Sequence, residues 1–66
     1  MKNKRAFERL VQQGIEPKRA IYYVRSVRDL GYSPETMTKQ MSAQKIVEIV
    51  DSVDRALTKF FAKKDA

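Results

Sequence analysis

The chain has 66 residues, a mass of 7.7 kDa and a formal charge of +6, which predicts a single domain over residues 1–66. Cysteine and histidine are both absent, which excludes disulfides, thiolate metal sites and histidine-based catalysis. Apolar residues make up 42% of the chain, enough for a core. No apolar run approaches the roughly 20 residues of a membrane span, and no signal peptide is visible. We therefore expect a cytoplasmic protein without a membrane partner.

The positive charge is concentrated in the first 28 residues. These carry eight cations and two anions, whereas residues 29–66 carry six of each. An excess of one sign in one half of a small chain is typical of a surface that faces a polyanion. The alternative interpretation is a solvated face that only keeps a small protein soluble.

The first half of the chain predicts two amphipathic helices, each ended by a glycine. Apolar residues recur at helical spacing over residues 4–13, and Gly14 ends this helix because glycine tolerates the left-handed conformation. Pro17 begins a second helix over 17–30, since a proline in the first turn costs no hydrogen bond, and Gly31 ends it. At about 100° per residue, the outer stripe of the second helix consists of Lys18, Tyr22, Arg25 and Asp29.

The second half predicts two further helices. Ser33 as N-cap and Pro34 at the first helical position begin the third one. The apolar phase changes near Ser42, so we expect a break there. The predicted fold class is all-α, a small orthogonal bundle of four helices over about 4–13, 17–30, 34–41 and 43–62. The predicted core consists of Phe7, Leu10, Val24, Val27, Ile46, Val50, Val53 and Leu57.

The sequence contains no pattern typical of a catalytic or metal site. The carboxylates are scattered, and basic residues lie beside the few that share a helix face, which favours salt bridges over metal ligands. A glycine-rich phosphate loop is excluded because the two glycines are 17 residues apart. We therefore predict a protein that is not an enzyme, with no catalytic residues, no metal, no cofactor and no small-molecule substrate.

The second helix has the most informative surface. Tyr22 is predicted to project outward between Lys18 and Arg25, one turn away on each side. A phenol flanked by two cations can hydrogen-bond a phosphate while the cations supply counter-charge. Several cations on one helix also suit sequence-independent contact with a nucleic-acid backbone. The alternative is that Tyr22 covers the edge of a neighbouring helix and the arginines are solvated.

The turn at 31–33 has the connection length of a helix-turn-helix motif. In that interpretation the third helix enters a DNA groove. Its groove-facing side chains are then Glu35, Thr36, Thr38, Lys39 and Gln40.

Two helix starts carry similar motifs. One is Gly14-Ile15-Glu16-Pro17 with Tyr23 and Arg25 following, similar to G-[LI]-S-P-x-T…Y. The other is Gly31-Tyr32-Ser33-Pro34-Glu35-Thr36-Met37 ending in Met41-Ser42-Ala43, similar to G-[LY]-S-P-x-T-[IM]…L-S-A. Over about residues 6–45 the chain thus resembles the core-binding (SAM-like) N-terminal domain of tyrosine recombinases and phage integrases.

The resemblance implies an all-helical domain that grips the DNA duplex opposite a catalytic domain. It also implies a set of residues near the DNA backbone: Lys18, Arg25, Ser33, Thr36, Lys39 and Gln40. The catalytic domain of that family is not part of these 66 residues, so the resemblance implies no recombinase activity.

The leading hypothesis is a non-enzymatic DNA-binding accessory or regulatory protein of a mobile element. Its predicted contacts with duplex DNA are Lys4, Arg5, Arg9, Lys18, Arg19, Tyr22, Arg25, Arg28, Ser33, Thr36, Lys39 and Gln40. The alternative is a protein-interaction module, an inhibitor or adaptor that docks through the apolar face of the fourth helix. An anionic membrane surface is disfavoured because the basic second helix has no broad apolar face free of the core.

The fourth helix also predicts a homodimer. Its apolar residues alternate steps of four and three, as in a coiled-coil seam. A lone core is marginal below about 70–80 residues, and no disulfide or metal is expected to support this one. The predicted interface consists of Ile49, Val53, Phe60 and Phe61.

Overall fold

The computed structural model describes the backbone of residues 3–65 and the side chains of residues 3–60. Over that range the chain is an all-α bundle, as predicted. Its four helices are α1 (Lys4–Gln12), α2 (Pro17–Asp29), α3 (Pro34–Gln40) and α4 (Ala43–Asp65). The predicted bounds agree to within one residue, except that α4 continues beyond residue 62. Within the described range, none of these helices combines the length and hydropathy needed to span a bilayer.

Both glycines end their helices in the same way. Gly14 has a φ of 99° and Gly31 a φ of 92°, in the left-handed region that side chains disfavour. After α1, the N–H of Ile15 donates to the carbonyl of Leu10 at 3.1 Å. After α2, the equivalent bond joins Tyr32 to Val27, also at 3.1 Å. These are Schellman motifs, which satisfy carbonyls that the last helical turn leaves open.

The predicted break between the third and fourth helices is confirmed. Ser33 caps α3, its hydroxyl accepting from the N–H of Thr36 at 3.4 Å. Met41 is extended, with φ −127° and ψ 150°, so α3 cannot continue into α4. The hydroxyl of Ser42 then accepts from the N–H of Lys45 at 3.3 Å, at the start of α4.

Side chains from all four helices form the core. The largest fully buried ones are Tyr23, Leu10, Ile46 and Val50. Alanines from α1, α2 and α4 are buried among them, where small side chains let helices approach closely: Ala6, Ala20 and Ala43. Five of the eight predicted core residues are buried: Leu10, Val24, Val27, Ile46 and Val50.

Three core predictions are wrong. Phe7 is half-buried at the edge of the core, Val53 is half-buried, and Leu57 is 49% exposed. The reason for the last two is helix length. The 23 residues of α4 span about 35 Å, whereas the 13 residues of α2, the longest of the other helices, span about 20 Å. The other helices therefore cover α4 only as far as about Val50.

The second half of α4 projects from the bundle. From Arg55 to Phe60 every side chain is exposed, while the helix backbone continues to Asp65. The molecule is accordingly elongated, with extents of 41, 21 and 20 Å. We call residues 53–65 the α4 arm.

Two long-range contacts fix the positions of α3 and α4. Arg9 on α1 donates to the backbone carbonyl of Glu35 at 3.1 Å and to the hydroxyl of Thr38 at 3.2 Å. The side-chain oxygen of Gln13 accepts from the N–H of Ala43 at 2.6 Å, which satisfies an open donor in the first turn of α4. The end of α1 is thus tied to the start of α4.

Candidate nucleic-acid interface

The outer stripe of α2 is exposed as predicted. Lys18, Tyr22, Arg25 and Asp29 all lie on the face opposite the core. The core face of the same helix consists of Ala20, Tyr23, Val24 and Val27, about half a turn away. The stripe therefore keeps two cations, Lys18 and Arg25, directed at solvent about two turns apart along the helix.

Further cations are exposed on α1 and around α2. Lys4 and Arg5 lie on the outer face of α1, and Arg28 lies in the last turn of α2. For brevity we call the exposed cations of α1 and α2 without an ion-pair partner the basic surface: Lys4, Arg5, Lys18, Arg25 and Arg28. None of these five side chains makes an ion pair with a carboxylate in the described part of the chain. Their charge is available to an external anion.

Arg9, another of the predicted DNA contacts, is directed at α3. Its side chain is 28% exposed and faces α3. Besides the two hydrogen bonds to α3, its guanidinium lies 3.7 Å from the carboxylate of Glu35. With these partners Arg9 braces α1 against α3, and its contact with DNA stays a prediction.

Arg19 is directed toward α4. Its guanidinium donates to the hydroxyl of Tyr23 at 2.7 Å and lies 5.6 Å from the centre of that ring. The hydroxyl of Tyr23 in turn donates to the carboxylate of Asp51 at 3.4 Å. Arg19 is exposed, but its head group is engaged in a polar network that joins α2 to α4.

Tyr22 also contacts α4. Its hydroxyl donates to the carboxylate of Asp54, and its ring packs edge-on against Tyr23 with the centroids 5.2 Å apart. The phenol thus covers the edge of a neighbouring helix, the alternative that the sequence left open. Tyr22 nevertheless remains 44% exposed, on the same stripe of α2 as Lys18 and Arg25.

The contact with Asp54 predicts a dependence of stability on alkaline pH. The hydrogen bond to this carboxylate, and secondarily desolvation, raise the pKa of Tyr22 above its ordinary value of 10.0. Because the pKa is higher in the folded chain than in the unfolded one, the contact stabilises the fold below pH 10.0. That contribution disappears as the pH rises through the raised pKa of Tyr22.

We expect wild type to lose stability more steeply than Tyr22→Phe as the pH rises from about 9 to about 12. Urea denaturation of both proteins across this range, followed by circular dichroism, measures the difference. The other alkaline groups are common to both proteins and cancel. Parallel stability curves would show that the contact does not favour the protonated phenol.

α3 contributes a smaller exposed set. Thr36, Lys39 and Gln40 are exposed, whereas the hydroxyl of Ser33 caps the helix. Thr38, which the helix-turn-helix interpretation placed toward the groove, is only 7% exposed, and this placement is wrong. Its hydroxyl donates to the carbonyl of Pro34 at 2.9 Å, so it packs inside the bundle. The predicted groove-facing set therefore loses Thr38.

The predicted dimer-interface residues divide into two groups. Ile49 is half-buried against the core, and Val53 is half-buried where the arm begins. Phe60 is 57% exposed on the arm. The side chain of Phe61 lies outside the described residues.

The carboxylates of residues 3–60 do not cluster as a cation site requires. Among the side chains that the structure describes, no three acidic residues lie close enough together to hold a metal ion. Asp51 and Asp54 face tyrosine hydroxyls instead. Their roles in joining α4 to α2 were not predicted, since nothing local in the sequence relates them to tyrosines about 30 positions earlier.

No protein-family model, no curated protein sequence and no solved structure matches the chain. The resemblance of its two helix-start motifs to the core-binding domain of tyrosine recombinases therefore stays a prediction.

Proposed function

We propose that this protein is a non-enzymatic DNA-binding accessory or regulatory protein that contacts the duplex backbone through its basic surface. The observation that carries the proposal is the exposure of five cations: Lys4, Arg5, Lys18, Arg25 and Arg28. They are exposed and unpaired within the described residues, in the half of the chain that holds the whole charge excess. Unpaired cations on rigid helices are suited to phosphates, because no internal salt bridge must be broken first.

The exposed side chains of α3 extend the same proposal. Thr36, Lys39 and Gln40 supply hydroxyl, ammonium and amide groups of the kind that bind phosphates and sugars. A role in a mobile element rests on the recombinase-like motifs alone. The cytoplasmic location and the homodimer expected from the sequence belong to the same proposal.

A second function is favoured by a specific observation. Leu57 and Phe60 are 49% and 57% exposed on the α4 arm, and large apolar side chains in a row on one helix are typical of a docking face. An adaptor or inhibitor would bind its partner there. The two functions use different faces, so they can be tested separately.

Lys18→Ala and Arg25→Ala should each weaken binding to duplex DNA by roughly threefold to tenfold, and by the same factor for unrelated sequences. Each variant removes one cation that contacts backbone rather than a base edge. Fluorescence anisotropy with two labelled duplexes of unrelated sequence, at low salt, measures both affinities. A single-stranded RNA of equal length tests whether the proposed partner is duplex DNA.

Lys45→Ala is the matched control. It removes one exposed positive charge from the start of α4, outside the basic surface. Its affinity should stay within about twofold of wild type. Equal losses for all three variants would indicate a diffuse charge effect and contradict a site on α2.

A further inference from the structure

Two neighbouring tyrosines of α2 donate to two carboxylates of α4. Tyr23 is only 1% exposed, and its hydroxyl donates to Asp51 in a part-buried contact. Tyr22 is 44% exposed, and its hydroxyl donates to Asp54 in a contact that is open to solvent. Tyr23 is therefore fixed in the core, whereas the phenol of Tyr22 can leave its carboxylate without opening the core.

Tyr22 also lies between two cations of the basic surface. On the outer stripe of α2 it follows Lys18 by four residues and precedes Arg25 by three. At about 1.5 Å per residue, these spacings are roughly 6 and 4.5 Å along the helix axis. A phosphate held between the two cations would thus lie beside the phenol, whose hydroxyl already donates to Asp54 in the free chain.

We infer that Asp54 competes with a DNA phosphate for the hydroxyl of Tyr22, so that this carboxylate limits the affinity of the basic surface for duplex DNA. The inference rests on the proposed function, because the competing anion is a phosphate of the bound duplex. In the free chain the phenol donates to the carboxylate. In the complex it donates to the phosphate, and the carboxylate is released to water.

The competition is close because both acceptors are anions. A hydrogen bond to an ionised acceptor is roughly twice as strong as one between neutral groups, so neither acceptor has this advantage over the other. The charge of Asp54 also repels a phosphate that approaches the same hydroxyl. The carboxylate therefore opposes DNA binding in two ways, by holding the donor and by repulsion between like charges.

Asp51 provides the matched comparison. It lies three residues before Asp54 on α4, carries the same charge and also accepts from a tyrosine. Its tyrosine, however, is the buried Tyr23, whose hydroxyl also accepts from Arg19 at 2.7 Å. Neutralising Asp51 therefore removes a negative charge without releasing a donor to the outer stripe, whereas neutralising Asp54 does both.

A double-mutant cycle between Tyr22 and Asp54 tests the competition. The variants are Tyr22→Phe, Asp54→Asn and the two combined, compared with wild type by fluorescence anisotropy on one labelled duplex at fixed low salt. Asp54→Asn should raise the affinity about threefold to tenfold, because a phosphate is a stronger acceptor than a neutral amide. Asp51→Asn should raise it by less than about twofold, through the loss of charge alone.

The effect of Tyr22→Phe should depend on residue 54. In the wild-type background it should change the affinity by less than about twofold, because the hydroxyl makes one bond to an anion both before and after binding. In the Asp54→Asn background it should weaken binding about threefold or more, because only the complex then offers an anionic acceptor. Urea denaturation checks that all variants are folded under the conditions of the binding assay.

Carbon NMR of the wild-type chain gives a second test that needs no stable variant of Asp54. The side-chain carboxyl carbon of Asp54 responds to loss of the hydrogen bond from Tyr22. On saturation with the duplex, its signal should move toward the position that it has in Tyr22→Phe without DNA. A signal that stays in place while the duplex binds would overturn the exchange.

The remaining outcomes separate this inference from the proposed function. Binding in which Tyr22→Phe has the same effect in both backgrounds overturns the competition and leaves the DNA-binding proposal intact. Equal gains from Asp54→Asn and Asp51→Asn do the same, because they reduce the role of Asp54 to its charge. If neither wild type nor any variant binds the duplex, the proposed function and this inference are both contradicted.

Discussion

Ile46→Ala should leave the chain largely unfolded at room temperature. Ile46 is fully buried where α4 meets the rest of the core. Its truncation removes apolar contacts and opens a cavity, at a cost of about 2–5 kcal/mol. A domain of this size has a free energy of unfolding of only about 3–5 kcal/mol. Urea and thermal denaturation followed by circular dichroism should give a folded fraction well below that of wild type.

Leu57→Ala is the matched comparison, on the same helix and the same apolar stripe. Because Leu57 is 49% exposed, its truncation should cost less than about 1 kcal/mol. Both variants are compared at the same low micromolar concentration. Equal destabilisation by the two substitutions would contradict the finding that the core ends near Val50.

Arg9→Ala and Arg25→Ala should separate stability from binding. Each removes one arginine and one positive charge, so their electrostatic change is matched. Arg9→Ala should cost about 1–2 kcal/mol, because two hydrogen bonds from a half-buried cation to α3 are lost. Arg25→Ala should change the free energy of unfolding by less than about 0.5 kcal/mol, since Arg25 is exposed and unpaired among the described side chains.

The effects of the two substitutions on DNA binding should be opposite to their effects on stability. Under conditions where Arg9→Ala is folded, its affinity for duplex DNA should stay near that of wild type, whereas Arg25→Ala should bind more weakly. Chemical denaturation and anisotropy on the same preparations give the two quantities. A stable Arg9→Ala with weak DNA binding would return Arg9 to the interface and contradict its role as a brace.

Local sequence signals were sufficient to predict where the helices begin and end. Gly14 and Gly31 each end a helix because the backbone there needs a positive φ, and Ser33 begins one through a cap. Even the break at Ser42 followed from a change in the apolar phase. These features depend on residues within one or two turns of each other, which is why one sequence was enough to predict them.

The features that the sequence did not predict depend on contacts between distant parts of the chain. The apolar pattern around Leu57 looks the same in the sequence whether or not another helix covers it. How far α1–α3 extend along α4 is decided only when the bundle assembles. Arg9 belongs to a basic segment, but its partner Glu35 is 26 positions away. Tyr22 was correctly placed on the outer stripe of α2. The carboxylate of Asp54 that its hydroxyl contacts lies 32 positions further along the chain.

The measurement that tests the central proposal most directly is the salt dependence of DNA binding. For wild type, the logarithm of the affinity for a duplex should fall linearly with the logarithm of the salt concentration, with a slope set by the number of phosphates neutralised. The double variant that carries Lys18→Ala and Arg25→Ala should have a slope smaller by about two, because each cation contacts one phosphate. A slope in the double variant equal to that of wild type, or no salt-dependent binding at all, would contradict a DNA-binding surface on α1 and α2.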